Sequence, residues 1–426
     1  MESLPLELVQ RIFAYLDLAS VRDAALLCRT FFDAFTSAEV LITSEILLRQ
    51  IDPSVLPEAI LVQKSWQLGK SSVDQAIKFA QDHLSSRPPA PTQWRLVDAL
   101  PLERFHRYVD YFAHWSAAEA LDKQPRLLAL GEPSHTELLR FQRAFYRFQL
   151  YCNMVGPEPA GQSQYREMFF GYFAIWGNEQ LACVNDYLMR MVAEPFNCLV
   201  DHDVTWRCMR IPYINCHYSS YGQYLISEGL EKLYQVSRAS SYKEWHGILS
   251  KGEDRWEEPL FSDAFLGNGL ERGANVFPLY LEALADLDEE DKHEVVGSPF
   301  YEEPDRGPAS MWEWVHKGRL PGALVGESRM RQHRQWAYTF WDCSRLERAG
   351  LLTDPSISGL GSHTELGLEK YDLPERQANL AISQATRARI WESGGTGVVE
   401  CHGSDKGCLA KAKSNFNAYR SAPISC

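Results

Sequence analysis

Cysteine, histidine and glycine are the residues here whose types could do chemistry, and their spacings offer little. The ten cysteines run from Cys28 to Cys426 without a Cys-x-x-Cys pair, so the four-ligand spacing of a zinc site is not met. The nearest approaches are Cys401, His402 and Cys408, and the set Cys198, Cys208, Cys216 and His217. Their spacing suits buried thiols better than a metal centre, and no metal or other cofactor is expected. Cys216 beside His217 would be a nucleophile and base, but adjacent residues rarely face one another. His-Glu-x-x-His and Gly-x-Ser-x-Gly are both absent. Gly69-Lys70-Ser71 ends like a phosphate loop, yet Lys64 stands where its first glycine belongs. Gly267-Asn268-Gly269 with Gly273 misses the dinucleotide spacing by one residue. No catalytic residue is expected, which leaves binding.

The residue types suited to protein recognition gather in two places. The first is the N-terminus. Leu8, Ile12 and Leu16 recur at i, i+4, i+8 with Val9 and Phe13 beside them, the period of an amphipathic helix. Pro5 suits its first position, and Glu7 complements the helix dipole from the first turn. Ser20 and Asp23 have capping-box spacing for a second helix carrying Val21, Ala24, Ala25, Leu27 and Cys28. A third short helix would hold Phe31, Phe32 and Phe35. Three such helices, about 40 residues, bury too little to be stable alone. They either cap the rest of this chain or complete their core on a partner.

The second place is around residue 335. Arg329, Arg331 and Arg334 stand just ahead of Trp336, Tyr338 and Trp341 in a chain of net charge −13. Arginine and large aromatics are enriched at binding hot spots, which makes Arg331, Arg334, Trp336 and Trp341 candidate substrate contacts. The alternative is that Trp336 and Phe340 are core and the arginines solvate the start of a helix.

The order Leu4-Pro5, Glu7, Ile12, Tyr15-Leu16, Ala25, Cys28-Arg29 and a following aromatic resembles the F-box, by which F-box proteins dock on the Skp-family adaptor of an SCF ubiquitin ligase. The likeness covers residues 1–48, about a tenth of the chain. Many members carry Trp three residues after the Cys, where Phe31 stands here. The resemblance implies a non-catalytic subunit in the ubiquitin-dependent degradation pathway. Leu4, Pro5, Leu8, Ile12, Leu16, Leu18, Cys28 and Phe31 would meet the adaptor, with a cullin following through it and a protein substrate held elsewhere. The alternative is a helical scaffold that binds the adaptor without delivering a substrate. Phe145-Tyr146-Arg147-Phe148 with Tyr151-Cys152, Gln180-Leu181-Ala182-Cys183-Val184 and Trp336-Ala337-Tyr338-Thr339-Phe340-Trp341-Asp342 also resemble segments of uncharacterised fungal F-box proteins.

Composition bounds the rest. A hydrophobic fraction of 45% with 12% aromatics implies a large packed core. An acidic chain repels phosphate backbones, so no nucleic-acid partner is expected. No run approaches 18 apolar residues, so no membrane span is expected either. Met1-Glu2-Ser3 leads straight into an amphipathic helix without the charged and apolar regions of a signal peptide. With scattered, reduced thiols, this points to the cytoplasm, the nucleus or both.

Strand-like alternation is nearly absent, and no period of 20–50 residues recurs. The expected fold is mainly α, a three-helix F-box followed by a larger irregular helical domain without recognised repeats. Residues 49–92 read as a connector, with helices over Ser44–Leu61 and Ser72–Leu84 and a proline-rich spacer or PxxP ligand from Ser85 to Thr92. Residues 93–390 read as the substrate-recognition body. It begins with a helix carrying Trp94, Val97, Phe105 and Phe112, then a loop from Pro125 to Pro133. Ser134 and Glu137 have capping-box spacing ahead of a helix with Phe141, Phe145, Phe148 and Cys152. Further helices are expected over Phe169–Val192, ending before Pro195, over Leu225–Val236, and over Trp245–Leu249. A looser stretch from Gly252 to Gly307 holds the acidic run 286–291. A last helix spans Arg331–Glu347 with Gly350 as its stop, and 391–426 is a flexible tail.

Overall fold

The computed structural model describes residues 4–68, 73–87, 89, 91–155, 169–206, 211, 213–215, 219–250, 266, 300–301, 303–316, 330–357, 371 and 373–396. Gly69-Lys70-Ser71, Pro88, Cys208, Cys216, His217, the glycines from Gly267 to Gly273, the acidic run 286–291, Arg329, Cys401, His402 and Cys408 lie outside the described residues. The fold is helical, with no β-strand among the described residues.

The N-terminal layer is α1 (Leu6–Ala14), α2 (Leu18–Ala25), α3 (Arg29–Ser37) and α4 (Glu39–Gln50). α2 is capped by Asp17, whose carboxylate accepts the Ser20 N–H at 2.7 Å. The expected Ser20–Asp23 box does not form, because the helix has already begun at Leu18. The helix expected over Ser44–Leu61 is two, since α4 ends at Gln50 and α5 spans Leu56–Ser65. Pro53 disfavours the helical conformation at Asp52, and Asp52 folds into a turn that accepts the Ser54 N–H at 2.8 Å. α6 (Val73–His83) follows.

The body is built around α9 (His135–Val155), packed against α5, α7 (Leu96–Lys123) and α10 (Ile175–His202). The expected box at its start is present: the Ser134 N–H donates to Glu137 at 2.7 Å, and the Glu137 N–H donates to Ser134 Oγ at 3.2 Å. α8 (Pro125–Leu128) occupies part of the expected loop before it. α9 is buried on nearly every side, including Arg140, Arg143 and Arg147. Such charges persist in a core only when paired or stacked. Arg140 donates to Asp342 at 2.7 Å and to the Phe340 carbonyl at 3.0 Å. Arg143 pairs with Glu303 at 3.2 Å. Arg147 lies 4.9 Å from the Phe173 ring centroid, and burial pushes its pKa down to about 10.

α10 runs through Pro195 rather than stopping before it, because residues on both sides of the proline are buried and hold the helix together. The helix expected from Leu225 to Val236 divides into α11 (Ser220–Ser227) and α12 (Leu230–Arg238). Gly229 between them has φ +86°, and a Cβ there would sit 2.7 Å from the Gln149 amide, so only glycine makes the turn at little cost. α13 (Tyr242–Leu249) and α14 (Gly307–His316) complete this part. The helix expected over Arg331–Glu347 is broken into α15 (Arg331–Gln335) and α16 (Cys343–Arg348). Between them Ala337 turns at φ +49°, and Trp336, Tyr338, Phe340 and Trp341 all go into the core. Gly350 stops α16 as its spacing implies, with the Leu351 N–H on the Leu346 carbonyl at 3.0 Å.

One helix has no counterpart in the sequence reading. α17 (Pro374–Glu392) occupies what was expected to be the end of the body and the start of the tail. Only Leu380 and Arg387 on it are buried, so it shows little apolar period. It is fixed by polar contacts instead: Arg376 pairs with Asp201 at 2.6 Å, and Arg387 donates to the Asp203 carbonyl at 3.3 Å.

Candidate partner interface

The N-terminal helices have two apolar sides. Val9, Phe13, Leu18, Val21, Ala25, Ala34 and Phe35 turn inward. The Phe13 ring meets Phe31 edge-on at 5.7 Å and Phe35 at 6.1 Å. Gln10 ties α1 to α3 through the Ala34 carbonyl at 3.1 Å and Ser37 Oγ at 3.0 Å. Arg49 of α4 reaches back to the carbonyl of Ala14, which α1 leaves unmatched at its end, and to that of Leu16 just beyond it.

The inner side rests on the body, where α2 and α4 pack against α7. The Trp94 N–H donates to Ser44 Oγ at 2.8 Å, and the Leu96 N–H donates to Glu39 at 3.1 Å. Arg87, expected in a spacer, is anchored by a 2.7 Å ion pair to buried Glu58. Its guanidinium lies 4.5 Å from the Tyr301 ring centroid, and Arg143 lies at the same distance from that ring.

The outer side remains uncovered. Nine of the fourteen large apolar side chains exposed among the described residues fall between Leu4 and Leu41, so solvent-facing apolar surface is concentrated here. Leu8 and Ile12 are each 49% exposed and Tyr15 73%. Leu8, Ile12 and Tyr15 are spaced 4 and 3 along the chain, which puts them on one side of α1 and its C-cap, and exposed Leu4 stands just ahead of the helix. Leu26 and Leu27 project from the turn between α2 and α3, and Phe32 from α3. A patch of this kind marks an interaction site.

The residues expected to meet the adaptor therefore divide. Leu4, Pro5, Leu8 and Ile12 are exposed, and Leu16, Cys28 and Phe31 are partly exposed. Leu18 is fully buried as the first residue of α2 and cannot touch a partner. Its Leu type and its place beside Leu16 hid a one-residue change of side. Tyr15, Leu26, Leu27 and Phe32 belong to the exposed patch and were not singled out as contacts. Leu26 and Leu27 lie in a turn, where helical periodicity carries no signal.

The second candidate set is not a surface. Arg334 is buried and pairs with Glu179 at 2.6 Å and Asp186 at 3.4 Å, both buried on α10. Burial disfavours its charge, but the two carboxylates hold its pKa above the ordinary value. Trp341 is fully buried with its indole N–H on the Trp336 carbonyl at 2.9 Å, Trp336 is also buried, and Arg331 is half-buried. Arg334, Trp336 and Trp341 are structural pieces of the core, and Arg331 lies at its edge. The segments Gln180–Val184 and Trp336–Asp342 meet here, with Gln180 donating to the Thr339 carbonyl at 2.8 Å, and Phe340 stacks on Phe141 of α9 at 4.1 Å. A cavity of about 20 Å³ lies among Cys183, Arg190, Arg334 and Phe340, room for a single water. No group of His, Cys, Asp and Glu among the described residues could hold a metal ion, and no helix among them is long and apolar enough to cross a membrane.

No curated protein and no solved structure matches the chain. The F-box domain family model matches residues 1–43, so the helices that seat their inner side on α7 and leave Leu4, Leu8 and Ile12 uncovered form an F-box domain.

Proposed function

We propose that this chain is the substrate-recognition subunit of an SCF-type ubiquitin ligase, akin to the fungal F-box proteins its core segments resemble. The carrying observation is that Leu8 and Ile12, half exposed, and exposed Leu4 stand on an F-box domain whose opposite side is already occupied by the body. A helix that merely capped this chain would bury its apolar side and leave the other polar. The outer row completes its burial on a Skp-family adaptor, and a cullin joins through that adaptor. The chain itself makes and breaks no bond. It holds a protein substrate near a charged conjugating enzyme, so that the effective concentration of a target lysine rises. The working compartment is the cytoplasm, the nucleus or both.

The test is reconstitution. Protein partners that co-purify with the full chain are incubated with adaptor, cullin, conjugating enzyme and ubiquitin. Modification of at least one partner that requires both this chain and the adaptor is the expected result. Adaptor binding without any chain-dependent modification would favour a scaffold instead. Point substitutions in the outer row are the right control, because deleting 1–48 would also remove Ile46 and Leu47 of α4 from the core.

A further inference from the structure

α7 carries apolar residues on two sides. One side, with Leu102, Val109, Phe112 and Ala113, belongs to the core. A second row, Val97, Pro101, Arg104, Tyr108, Tyr111 and Trp115, is spaced 4, 3, 4, 3 and 4 and so shares another side of the helix. A side facing water is ordinarily polar, yet Val97 is 70% exposed and the three rings are partly exposed. The row widens into a continuous aromatic strip. Trp66, 40% exposed at the end of α5, adjoins this row through buried Phe105 beneath the surface, whose ring meets Trp66 at 6.0 Å and Tyr108 at 6.1 Å. Tyr234 of α12 then bridges Tyr108 at 5.0 Å and Tyr111 at 4.9 Å, and Tyr111 meets Trp115 at 5.9 Å. Trp, Tyr and Arg are the types that dominate binding hot spots.

We propose that this strip is the docking surface for an acidic peptide segment with apolar anchors, presented by the protein substrate; this rests on the receptor reading above. The choice of an acidic occupant comes from the strip itself. Arg104 Nη2 at 3.2 Å and the Tyr108 hydroxyl at 3.3 Å converge on one carboxylate oxygen of Glu231. That carboxylate is exposed on α12, so the strip displays a working carboxylate cradle at its surface that an incoming Asp or Glu can enter in place of Glu231. Exposed Arg238 on α12 places further positive charge beside Tyr111, in a chain whose overall charge of −13 repels acidic partners elsewhere. The rings supply flat apolar contact at low cost in side-chain entropy, and the arginines fix the charge of the partner.

The probe is a random dodecapeptide library displayed on phage and panned against the full chain. Enriched peptides are expected to be net negative and to carry at least one large apolar residue. A synthetic copy of an enriched peptide should bind the parent and lose roughly tenfold or more in affinity, read by fluorescence anisotropy, in Tyr108→Ala and in Arg104→Glu. Arg104 is exposed, so that variant stays folded even if Tyr108→Ala does not. Enrichment of neutral, basic or proline-rich peptides, absence of enrichment, or equal binding by parent and Arg104→Glu would overturn the proposal. Adaptor binding is measured on the same samples. Peptide binding without adaptor binding sinks the receptor reading alone, and adaptor binding without peptide binding sinks the strip alone.

Discussion

Leu8 and Ile12 are half exposed, while Val9 and Phe13, one position further along, are buried. Leu18 is buried too, although its type and neighbourhood matched those of the outer row. The energetic consequences differ accordingly. Leu18→Ala empties a packed site and should cost about 2–5 kcal/mol in a urea melt. Leu8→Ala and Ile12→Ala should stay within about 0.5 kcal/mol of the parent, as surface changes do. Arg334 obeys the logic of a buried ion network. Arg334→Ala leaves Glu179 and Asp186 buried without their cation and should destabilise by about 3–5 kcal/mol, read by the same melt. Sequence alone leaves Arg334 and Trp341 open between a binding surface and a structural place, because arginine and tryptophan serve both. The deciding acids stand at 179 and 186, about 150 residues away, where no local pattern reaches.

At the scale of elements, local signals were legible where one turn decides the outcome. The Ser134–Glu137 box formed, and Ser134→Ala should cost about 1 kcal/mol. Pro53 broke a helix that periodicity alone would have run on, whereas Pro195 did not, because tertiary packing outweighed the local penalty. α17 was not legible: its docking is polar, through Asp201 and Asp203, and polar docking leaves no apolar period. The break between α15 and α16 has the same origin. Asp342 there accepts from Arg140, Ser134 and Thr136. Burial alone would raise the Asp342 carboxyl, but these hydrogen bonds hold it below its ordinary range. A depressed acid stabilises the fold above its unfolded pKa, near 4, and that stability is lost as pH falls through the folded value. Asp342→Asn should therefore be less stable than the parent at about pH 6, with the gap narrowing by about pH 3. A gap that stays constant across that range would contradict this account. Close packing at the same junction gives a further check. A Cβ on Gly307 would collide with the Trp341 carbonyl oxygen and the Cys343 backbone nitrogen, so Gly307→Ala should lower the thermal midpoint clearly.

For the whole molecule, the mainly α class is legible in helical period, and the F-box in the resemblance of its N-terminal residues to that family's motif. The seating of that domain is not legible there, because it depends on Ser44, Glu39 and Arg87 meeting residues some 30 to more than 200 positions away in the chain. We propose that the face fixed on this body but left open to solvent is completed by a Skp-family adaptor. Calorimetric titration of purified adaptor into the full chain, and into a Leu8→Glu, Ile12→Glu variant, tests it most directly. The parent should bind with saturable heat. The variant should show none, while its helical circular-dichroism signal and thermal midpoint match the parent's. Binding by the variant as tight as by the parent, or no binding by a folded parent, would contradict the claim.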